Sequence, residues 1–360
     1  MFKPNYIISS FIATCLMKIE ALTKEIESLP LTPMVLATLR ETAALQSTYY
    51  STKIEGNRLT KKEVEEVLFK GERLRGKERD EKEILGYYEA LSWLENLALT
   101  KKHLDEKMIK KLHALIMGGG RKTVTPTAYR DGQNVIKDGA TGRIVYLPPE
   151  AADVSSLIKE LIQWINHAVE TGVPIPLIAA IFHYQFATIH PYYDGNGRTA
   201  RLITTFLLHR YGYDLKGIYS LDAYYADNLT DYYGSLSVGS HNYYMGRADE
   251  DITPWISYFC IGVEKSFEHV KAQALKASKK GSKDQSRTLR KLDARQRTVL
   301  TIFKDQEVVT SRDIATILRI KPRTARALAQ QWVEDGFLKV ASLSKKTRSY
   351  SLAQVYNCFD

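Results

Sequence analysis

Residues 190–201 read HPYYDGNGRTAR, and an apolar run with helical character flanks them on each side. The upstream run covers residues 177–189, and Pro191 predicts that this helix ends at His190, because a proline disfavours the α conformation in the residue before it. The downstream run covers residues 198–211, is apolar on one face, and has Gly212 placed to end it. The pattern predicts a mainly α fold in which a tight loop joins two core helices.

The loop has the composition of an anion-binding turn. Gly195 and Gly197 allow the backbone to approach a ligand closely, and Asn196 suits a cap or a turn. The amide N–H groups of these residues lie where the next helix begins and its dipole is positive. Arg198 and Arg201 share one face of the first helical turn, where each cation costs about 0.3–1 kcal/mol unless an anion answers it. We therefore expect a phosphate-binding site.

Two further side chains of the loop add chemistry to that site. Asp194 offers a hard oxygen ligand of the kind that Mg²⁺ takes when it also holds substrate phosphates. His190, whose unperturbed pKa is about 6.5, can accept a proton from an incoming hydroxyl. The alternative is a loop between core helices that carries Gly, Asn and Arg by coincidence, and any one of these residues alone favours it. The ordered combination predicts a site for a nucleoside triphosphate with Mg²⁺.

The string resembles the signature of Fic-domain proteins, H-P-F-x-[D/E]-G-N-G-R-x-x-R, and departs from it only where Tyr192 replaces the usual Phe. Most members of that family transfer AMP from ATP to a Ser, Thr or Tyr hydroxyl of a protein target and release pyrophosphate. The resemblance implies a helical-bundle Fic core. It also implies roles for the loop residues: the general base is His190, the Mg²⁺ ligand is Asp194, the phosphate cradle is Gly195, Asn196 and Gly197, and the phosphate clamps are Arg198 and Arg201.

A β-hairpin is expected in this otherwise helical region. Its pattern consists of Tyr129-Arg130, residues 135–146 with Asp138-Gly139 as a turn signal, and Leu147-Pro148-Pro149, and it resembles the Fic flap that holds a target segment. An isolated hairpin is marginally stable, so this one must dock on the helices, where a strand edge can accept a target peptide. A purely structural hairpin is the alternative. The resemblance assigns the target-holding role to Ile144, Val145 and Tyr146, and it places Tyr232 and Tyr233 near the nucleotide base.

A second constellation lies upstream of the predicted core. Ser51 and Glu55 are four residues apart on one helix face, Gly56 is suited to end that helix, and Asn57 follows. A carboxylate at a helix C-terminus is unfavourable unless a cation answers it, although a solvated Glu before a turn is the alternative. The stretch resembles the Fic inhibitory motif [S/T]-x-x-x-E-[G/N]. By that resemblance Glu55 pairs with Arg201, so that Arg201 cannot bind the terminal phosphate of ATP. The enzyme would then be autoinhibited.

Composition and charge set the domain organisation. The chain has 360 residues, is 44% hydrophobic and 26% charged, and carries a net charge of +10, which is ordinary globular composition. Residues 271–360 hold 20 Lys+Arg against 8 Asp+Glu, whereas the remainder holds 31 against 33. We expect an N-terminal helical region at 1–100, the catalytic domain at 101–270, a basic linker at 271–292 and a small domain at 293–360.

The cysteines and the N-terminal run bear on the compartment. Cys15, Cys260 and Cys358 are far apart, which argues against a disulfide framework or a zinc ribbon and fits a reducing cytoplasm. The apolar run 7–17 contains polar residues and continues into a helical pattern, so we expect a packed helix rather than a signal peptide. No run is long enough to span a bilayer, and we expect no membrane partner. The oligomeric state stays open, a homodimer included.

The C-terminal region resembles a small winged helix-turn-helix domain. A helix over 295–303, a short helix capped by Ser311, a helix from Pro322 to Asp335 and two strands joined by residues 344–347 form its pattern. The residues around the start of the recognition helix are basic: Arg319, Lys321, Arg323 and Arg326. The functional interpretation is salt-sensitive DNA binding, and the alternative is a protein-docking or dimer-forming domain.

Two hypotheses about function therefore stand. The first is an autoinhibited adenylyltransferase; the second is a DNA-binding regulator whose Fic domain senses nucleotide. The resemblance also admits removal of AMP, in which Glu55 positions water, or use of another donor. His190, Asp194, Asn196, Arg198 and Arg201 are all present, which favours the enzyme, because a degenerate sensor needs no base.

Overall fold

The structure is a computed structural model that describes residues 2–31, 33–100, 102–137, 141–277, 292–304, 306–318, 320–342, 348–353 and 356. The chain divides into two compact units. The first comprises Met1–Lys24 and Ala43–Val270, and the second comprises Glu25–Thr42 and Lys271–Asp360. The first unit thus combines most of the predicted N-terminal region with the predicted catalytic domain. The sequence-based boundaries at 100, 270 and 292 stay predictions.

Helices dominate the described part of the first unit, as the sequence predicts. A π-helical turn at Glu66–Lys70 extends α3, and a 3₁₀ turn at Leu215–Gly217 follows α8. The unit boundaries fall within α1, α2 and α12. The helices are α1 Ser10–Ser28, α2 Pro33–Ile54, α3 Lys61–Glu65, α4 Glu78–Ala98, α5 Glu106–Met117, α6 Ala151–Glu170, α7 Ile175–Ile189, α8 Asn196–Arg210, α9 Leu221–Asp227, α10 Leu229–Leu236, α11 Tyr244–Arg247 and α12 Thr253–Ala277.

The centre of the unit is the pair formed by α7 and α8. Almost every residue of α7 is buried, and so are most residues of α8, which explains why both segments are apolar over their length. α7 ends at His190, as Pro191 predicts, and His190 takes the left-handed conformation with φ 51° and ψ 61°. α8 begins two residues earlier than predicted, at Asn196. The predicted tight loop between two core helices is present.

The N-terminal part of this unit contains a capping box and the helix expected from the apolar run. Thr60 caps α3, and Glu63 reciprocates in a capping box. The apolar run at residues 7–17 enters α1, which begins at Ser10, and it buries Ile12 and Cys15 while Ile7 stays 66% exposed. Cys15 and Cys260 are buried free thiols, and Cys358 lies outside the described residues. The cytoplasmic assignment stays a prediction.

The predicted hairpin is present as a short antiparallel pair. Strands β1 Ile136–Lys137 and β2 Ile144–Tyr146 pair in the register Ile136 with Tyr146 and Lys137 with Ile144. The Tyr146 hydroxyl donates a hydrogen bond to the carbonyl of Thr188 near the end of α7, at 3.1 Å. The hairpin is therefore docked on the helical core next to the loop at residues 190–195. Its predicted turn at Asp138-Gly139 lies outside the described residues.

The second unit contains three helices and a three-stranded antiparallel sheet in its described C-terminal part. The helices are α13 Ala294–Leu300, continued by a 3₁₀ turn at Thr301–Lys304, α14 Ser311–Leu318 and α15 Pro322–Glu334. The strands are β3 Val309–Thr310, β4 Leu338–Ser342 and β5 Ser349–Leu352, in the order β3-β5-β4. Two apolar side chains at the end of α15 and after it, Trp332 and Phe337, are buried and pack edge to face.

Two details of this region differ from the sequence-based expectation. The cap of α14 is Thr310, whose hydroxyl accepts from the Arg312 and Asp313 amides, so the prediction of Ser311 as the cap was wrong by one residue. Strand β3 was not predicted, since two residues carry no readable alternation. The predicted loop at residues 344–347, Arg319 and most of the basic linker lie outside the described residues. Among the helices that are described, none is long and apolar enough to cross a membrane.

Candidate active site

The loop between α7 and α8 holds His190 as a neutral imidazole with one nitrogen available. Its Nδ1 lies 3.2 Å from the carbonyl oxygen of Ala187, which favours the tautomer with the proton on Nδ1 and a lone pair on Nε2. Burial lowers the pKa of His190 below its usual value, and the Glu55 charge acts in the opposite direction. His190 is therefore in the state that a general base needs at neutral pH.

The turn after His190 is rigid because its side chains bond its own backbone. Asn196 accepts from the Tyr192 amide at 2.9 Å and donates to the Tyr192 carbonyl at 2.7 Å, so Asn196 closes the turn and does not cap α8. Gly195 occupies the cap position with φ 79°, a conformation that favours glycine. Asp194 Oδ1 accepts from the Gly195 amide at 2.6 Å. No side chain of the turn caps the start of α8, so the amides there can bind an anion.

Tyr192 anchors this turn in the core, in the place where the family signature has Phe. Its ring is buried and stacks on His113, with ring centroids 3.6 Å apart and planes 13° apart. His113 Nε2 lies 2.8 Å from the Asp194 carbonyl oxygen. Burial lowers the pKa of His113 to about 4, so the ring is neutral and donates its Nε2 proton to that carbonyl. The stack and the hydrogen bond together fix the backbone that presents Asp194.

The two arginines of α8 are both buried but have different partners. Arg198 donates to Asp194 Oδ1 at 3.0 Å, and its buried Nε has no hydrogen-bond partner within the described part of the chain. A buried donor without a partner is costly, which fits a position that an anion completes. Arg201 Nε donates to the Ser51 hydroxyl at 2.7 Å, and its Nη2 donates to the Ser51 carbonyl at 2.8 Å.

Glu55 reaches the same arginine from the end of α2. Arg201 Nη2 donates to Glu55 Oε1 at 2.8 Å, and the Glu55 side chain is 29% exposed. Burial alone would lower the pKa of Arg201, but the Glu55 carboxylate beside it raises that pKa, so the guanidinium is fully charged. A Cβ atom on Gly197 would come within 2.3 Å of Glu55 Oε1. The Glu55 carboxylate therefore lies against the start of α8, in the space expected for phosphate.

The rest of the upstream motif shapes the turn that carries Glu55. Gly56 has φ 90°, which a side chain would strain. Asn57 donates to the Asp80 carbonyl at 3.1 Å and to Glu83 Oε2 at 3.0 Å, and it accepts from the Leu59 amide at 3.1 Å. The contacts of Asn57 fix the chain directly after Glu55.

Residues 103–208 match the model of the Fic/DOC family. This central segment of the chain is thus similar to Fic domains. Two curated relatives, both called protein adenylyltransferase Fic, are 32% identical over 176 residues in Drosophila mojavensis and 33% identical over 177 residues in Drosophila erecta. Each match covers 48% of this chain, with 33% of the first relative and 34% of the second. The chain thus spans about a third of the length of these curated relatives.

Solved structures extend the similarity beyond residues 103–208. A Fic domain containing signaling protein from Bacteroides thetaiotaomicron is 25% identical with a TM-score of 0.63, and the match covers 72% of this chain and 98% of that one. A Fic family protein from Desulfovibrio desulfuricans is 22% identical with a TM-score of 0.60 over 98% of this chain and 99% of that one, which shows a shared fold. The mainly helical fold with a small hairpin is confirmed.

The predicted hairpin residues and the two tyrosines predicted near the nucleotide base differ in their exposure. Ile144 and Val145 are exposed on the hairpin at 50% and 46%, whereas Tyr146 is buried. Tyr233 is 47% exposed, but Tyr232 is buried, and its hydroxyl lies 2.8 Å from His183 Nε2. Tyr232 is thus part of the core. Only Tyr233 of that pair offers an exposed ring.

Three functional neighbours were not predicted from the sequence. Asp222, in the first turn of α9, lies 3.4 Å from Arg201 Nε and accepts from the Ser47 hydroxyl, and it is as buried as Arg201. His113 fixes Asp194, and Arg130 bonds the His190 carbonyl at 3.0 Å. In the sequence, Asp222 is an ordinary acidic residue of a helix start, and nothing local distinguishes His113 or Arg130.

Proposed function

We propose that the Fic domain transfers AMP from ATP to a Ser, Thr or Tyr hydroxyl of a protein target and releases pyrophosphate. The observation that carries the proposal is the juxtaposition of a neutral imidazole with a free Nε2 and an anion cradle that contains two buried arginines. The names of the Drosophila relatives support the same chemistry.

The proposed reaction is a single displacement at the α-phosphorus. The target oxygen bonds to that phosphorus, its proton passes to His190 Nε2, and the bond to the oxygen that bridges the α- and β-phosphorus breaks, so that pyrophosphate leaves. The start of α8 and the unpaired Arg198 Nε stabilise the phosphate charge. The protein contributes mainly position and electrostatics.

Asp194 is the proposed ligand of Mg²⁺. No group of three or more His, Cys, Asp or Glu side chains that could hold a metal occurs among the described residues. A single exposed carboxylate beside a phosphate site nevertheless suits Mg²⁺, which commonly binds one or two carboxylates together with substrate phosphates. When bound, the ion would neutralise charge on the phosphates. The residues therefore fit the ion only in the presence of nucleotide.

We propose that Glu55 keeps this enzyme inactive. Its carboxylate occupies Arg201 and lies against Gly197, so the terminal phosphate of ATP must displace it. The 29% exposure of Glu55 against 2% for Arg201 indicates that the carboxylate is the partner that can leave. The Glu55 position also admits the reverse reaction, in which a carboxylate beside the phosphate site orients water against a modified target.

Labelling with α-³²P-ATP tests both proposals. The chain itself and a cell extract serve as acceptors for wild type, Glu55→Gly and Glu55→Gly/His190→Ala. We expect strong labelling with Glu55→Gly alone. Glu72→Gly, which removes an exposed carboxylate elsewhere in the first unit, serves as the matched control and should behave like wild type. Labelling that survives in the double variant, or is absent from every sample, contradicts transfer; equal labelling by wild type and Glu55→Gly contradicts autoinhibition.

We also propose that the C-terminal elements form a winged helix that binds DNA. The order of elements from α13 to β5 and the sheet order β3-β5-β4 match that architecture. One side of α15 exposes residues that can bond bases and phosphates, Arg323, Arg326 and Gln330, without an acidic residue before Glu334. Protein docking through the same face is the alternative outcome.

Fluorescence anisotropy with a labelled random-sequence duplex tests DNA binding. We expect an affinity that falls steeply between 50 and 200 mM salt, by about 10³-fold or more for six phosphate contacts. Arg323→Gln/Arg326→Gln should weaken it. The charge-matched control is Arg58→Gln/Arg75→Gln, which changes two exposed arginines of the first unit. Binding that the control weakens equally contradicts a site on α15.

A further inference from the structure

Arg130 is a buried arginine whose guanidinium bonds three separate backbone segments. Nε donates to the His190 carbonyl at 3.0 Å, Nη1 to the Gly132 carbonyl at 3.0 Å, and Nη2 to the Pro149 carbonyl at 2.5 Å. Its own amide donates to the Pro191 carbonyl at 2.9 Å. Arg130 is only 3% exposed. One side chain thus joins the end of α7 to two segments that flank the hairpin.

The three acceptor carbonyls belong to the two segments that flank the hairpin and to His190, the proposed base. Gly132 precedes β1 and Pro149 follows β2, so Arg130 closes the base of the hairpin. His190 has φ 51° and ψ 61°, a left-handed conformation that costs a non-glycine residue about 1–2 kcal/mol. Such a conformation persists only when its surroundings hold it. The Arg130 bond to the His190 carbonyl is one of the contacts that do so.

The charge of Arg130 supports a geometric role. No carboxylate forms an ion pair with Arg130 in the described part of the chain, and the neighbouring Asp131 accepts instead from the Tyr193 hydroxyl. Burial lowers the pKa of Arg130, which reflects the cost of placing a cation there. Hydrogen bonds from the guanidinium to three carbonyl acceptors offset that cost. A lysine ammonium carries the same charge but cannot reproduce the fork.

We propose that Arg130 positions His190 relative to the hairpin. The contact would keep the base within hydrogen-bonding distance of a target hydroxyl that the hairpin holds. The proposal rests on the proposed transfer function. Its distinguishing feature is that the contacts of Arg130 avoid the nucleotide cradle, residues 195–201. Loss of the fork should therefore slow transfer while nucleotide affinity is retained.

The test uses Arg130→Lys in the full-length Glu55→Gly chain. We expect the Kd for α,β-methylene-ATP, measured calorimetrically with Mg²⁺, to change less than about twofold, and the rate of label incorporation to fall about 100-fold, as for a displacement near 1 Å. A crystal structure should show His190 shifted relative to Gly195. The matched control is Arg121→Lys, since Arg121 also bonds a backbone carbonyl, that of Gly118, but does not contact the loop.

Two results overturn the proposal. Unchanged incorporation by Arg130→Lys excludes a positioning role, and a parallel loss of nucleotide affinity and incorporation shows that Arg130 merely supports the fold. If the Glu55→Gly parent binds the analogue but incorporates no label, the proposed function fails. In that case the crystal structure still decides whether Arg130 holds His190, because an unmoved His190 in Arg130→Lys refutes the inference independently of activity.

Discussion

Glu55 and Arg201 form an ion pair at 2.8 Å although 146 residues separate them in the sequence. Each charge is unfavourable without a partner. The carboxylate follows the C-terminus of α2, whose dipole opposes it, and the guanidinium lies in the second turn of α8, where the side chain is only 2% exposed. The pair relieves both. An anion that displaces Glu55 must therefore interact with Arg201 more favourably than the Glu55 carboxylate does. A phosphate carries a higher negative charge and meets that requirement.

Gly197 has no side chain, and this leaves room beside α8 that either the Glu55 carboxylate or a phosphate can occupy. We expect Gly197→Ala to weaken binding of α,β-methylene-ATP at least tenfold in the Glu55→Gly background, because a Cβ at the start of α8 fills the position now taken by the Glu55 carboxylate. The matched control is Gly234→Ala in α10, where a Cβ meets no atom within 4 Å. Equal calorimetric affinities for Gly197→Ala and its parent would place the phosphate elsewhere.

The acidic limb of the pH–rate profile should report His190. Only neutral imidazole accepts a proton, and burial lowers the pKa of His190, so activity persists below the usual histidine midpoint of about 6.5 and is lost as the pH falls through the lowered value. Removal of Glu55 takes away a charge that raises this pKa and should shift the limb further toward acid. The profile of Glu55→Gly labelling between pH 4.5 and 8 measures the midpoint; a midpoint above 7 would exclude this base in its observed environment.

Asp222 should stabilise the fold more when Glu55 is absent. Asp222→Ala leaves Arg201 with one carboxylate instead of two and removes the acceptor of Ser47, for an expected loss of about 3 kcal/mol in the free energy of unfolding. In Glu55→Gly the same change leaves the buried cation without a carboxylate, so the double variant should lose more than the sum of the single losses.

Urea denaturation of the four proteins in this cycle measures the coupling between Glu55 and Asp222. Asp231→Ala, which removes an exposed carboxylate from the first turn of α10, is the control and should cost less than about 1 kcal/mol. Strict additivity would show that the two carboxylates do not share Arg201.

The sequence predicted the parts of the site that depend on local pattern. Pro191 ends a helix, two glycines open an anion turn, and an apolar face places α8 in the core; each signal acts within a few residues. The pairing of Glu55 with Arg201 was accessible only through the family resemblance. Arg130 and Asp222 were missed because the contact of Arg130 with His190, 60 residues away, and that of Asp222 with Arg201, 21 residues away, depend on how helices and hairpin pack. Both residues are buried, and the burial of a polar residue cannot be recognised from its neighbours in the sequence.

Tyr192 and Tyr193 provide a matched pair for the last prediction, since the same substitution should have opposite effects at adjacent positions. The buried Tyr192 hydroxyl has no hydrogen-bond partner within the described residues. Tyr192→Phe introduces the residue that the Fic signature usually has at this position, and it keeps the stack on His113. It should therefore raise the free energy of unfolding by up to about 1 kcal/mol and leave labelling by the Glu55→Gly chain unchanged.

Tyr193→Phe should do the reverse. The Tyr193 hydroxyl donates to Asp131 at 2.8 Å and accepts from the Gly132 amide at 2.8 Å, so it ties the loop to the segment that enters the hairpin. Its removal should cost about 1–2 kcal/mol, because one of the two bonds is to a carboxylate. Label incorporation should fall with Tyr193→Phe, since the hairpin loses a contact to the loop that carries His190. Thermal unfolding and labelling of both variants measure the contrast, and equal behaviour of the two would show that neither hydroxyl is used as the structure indicates.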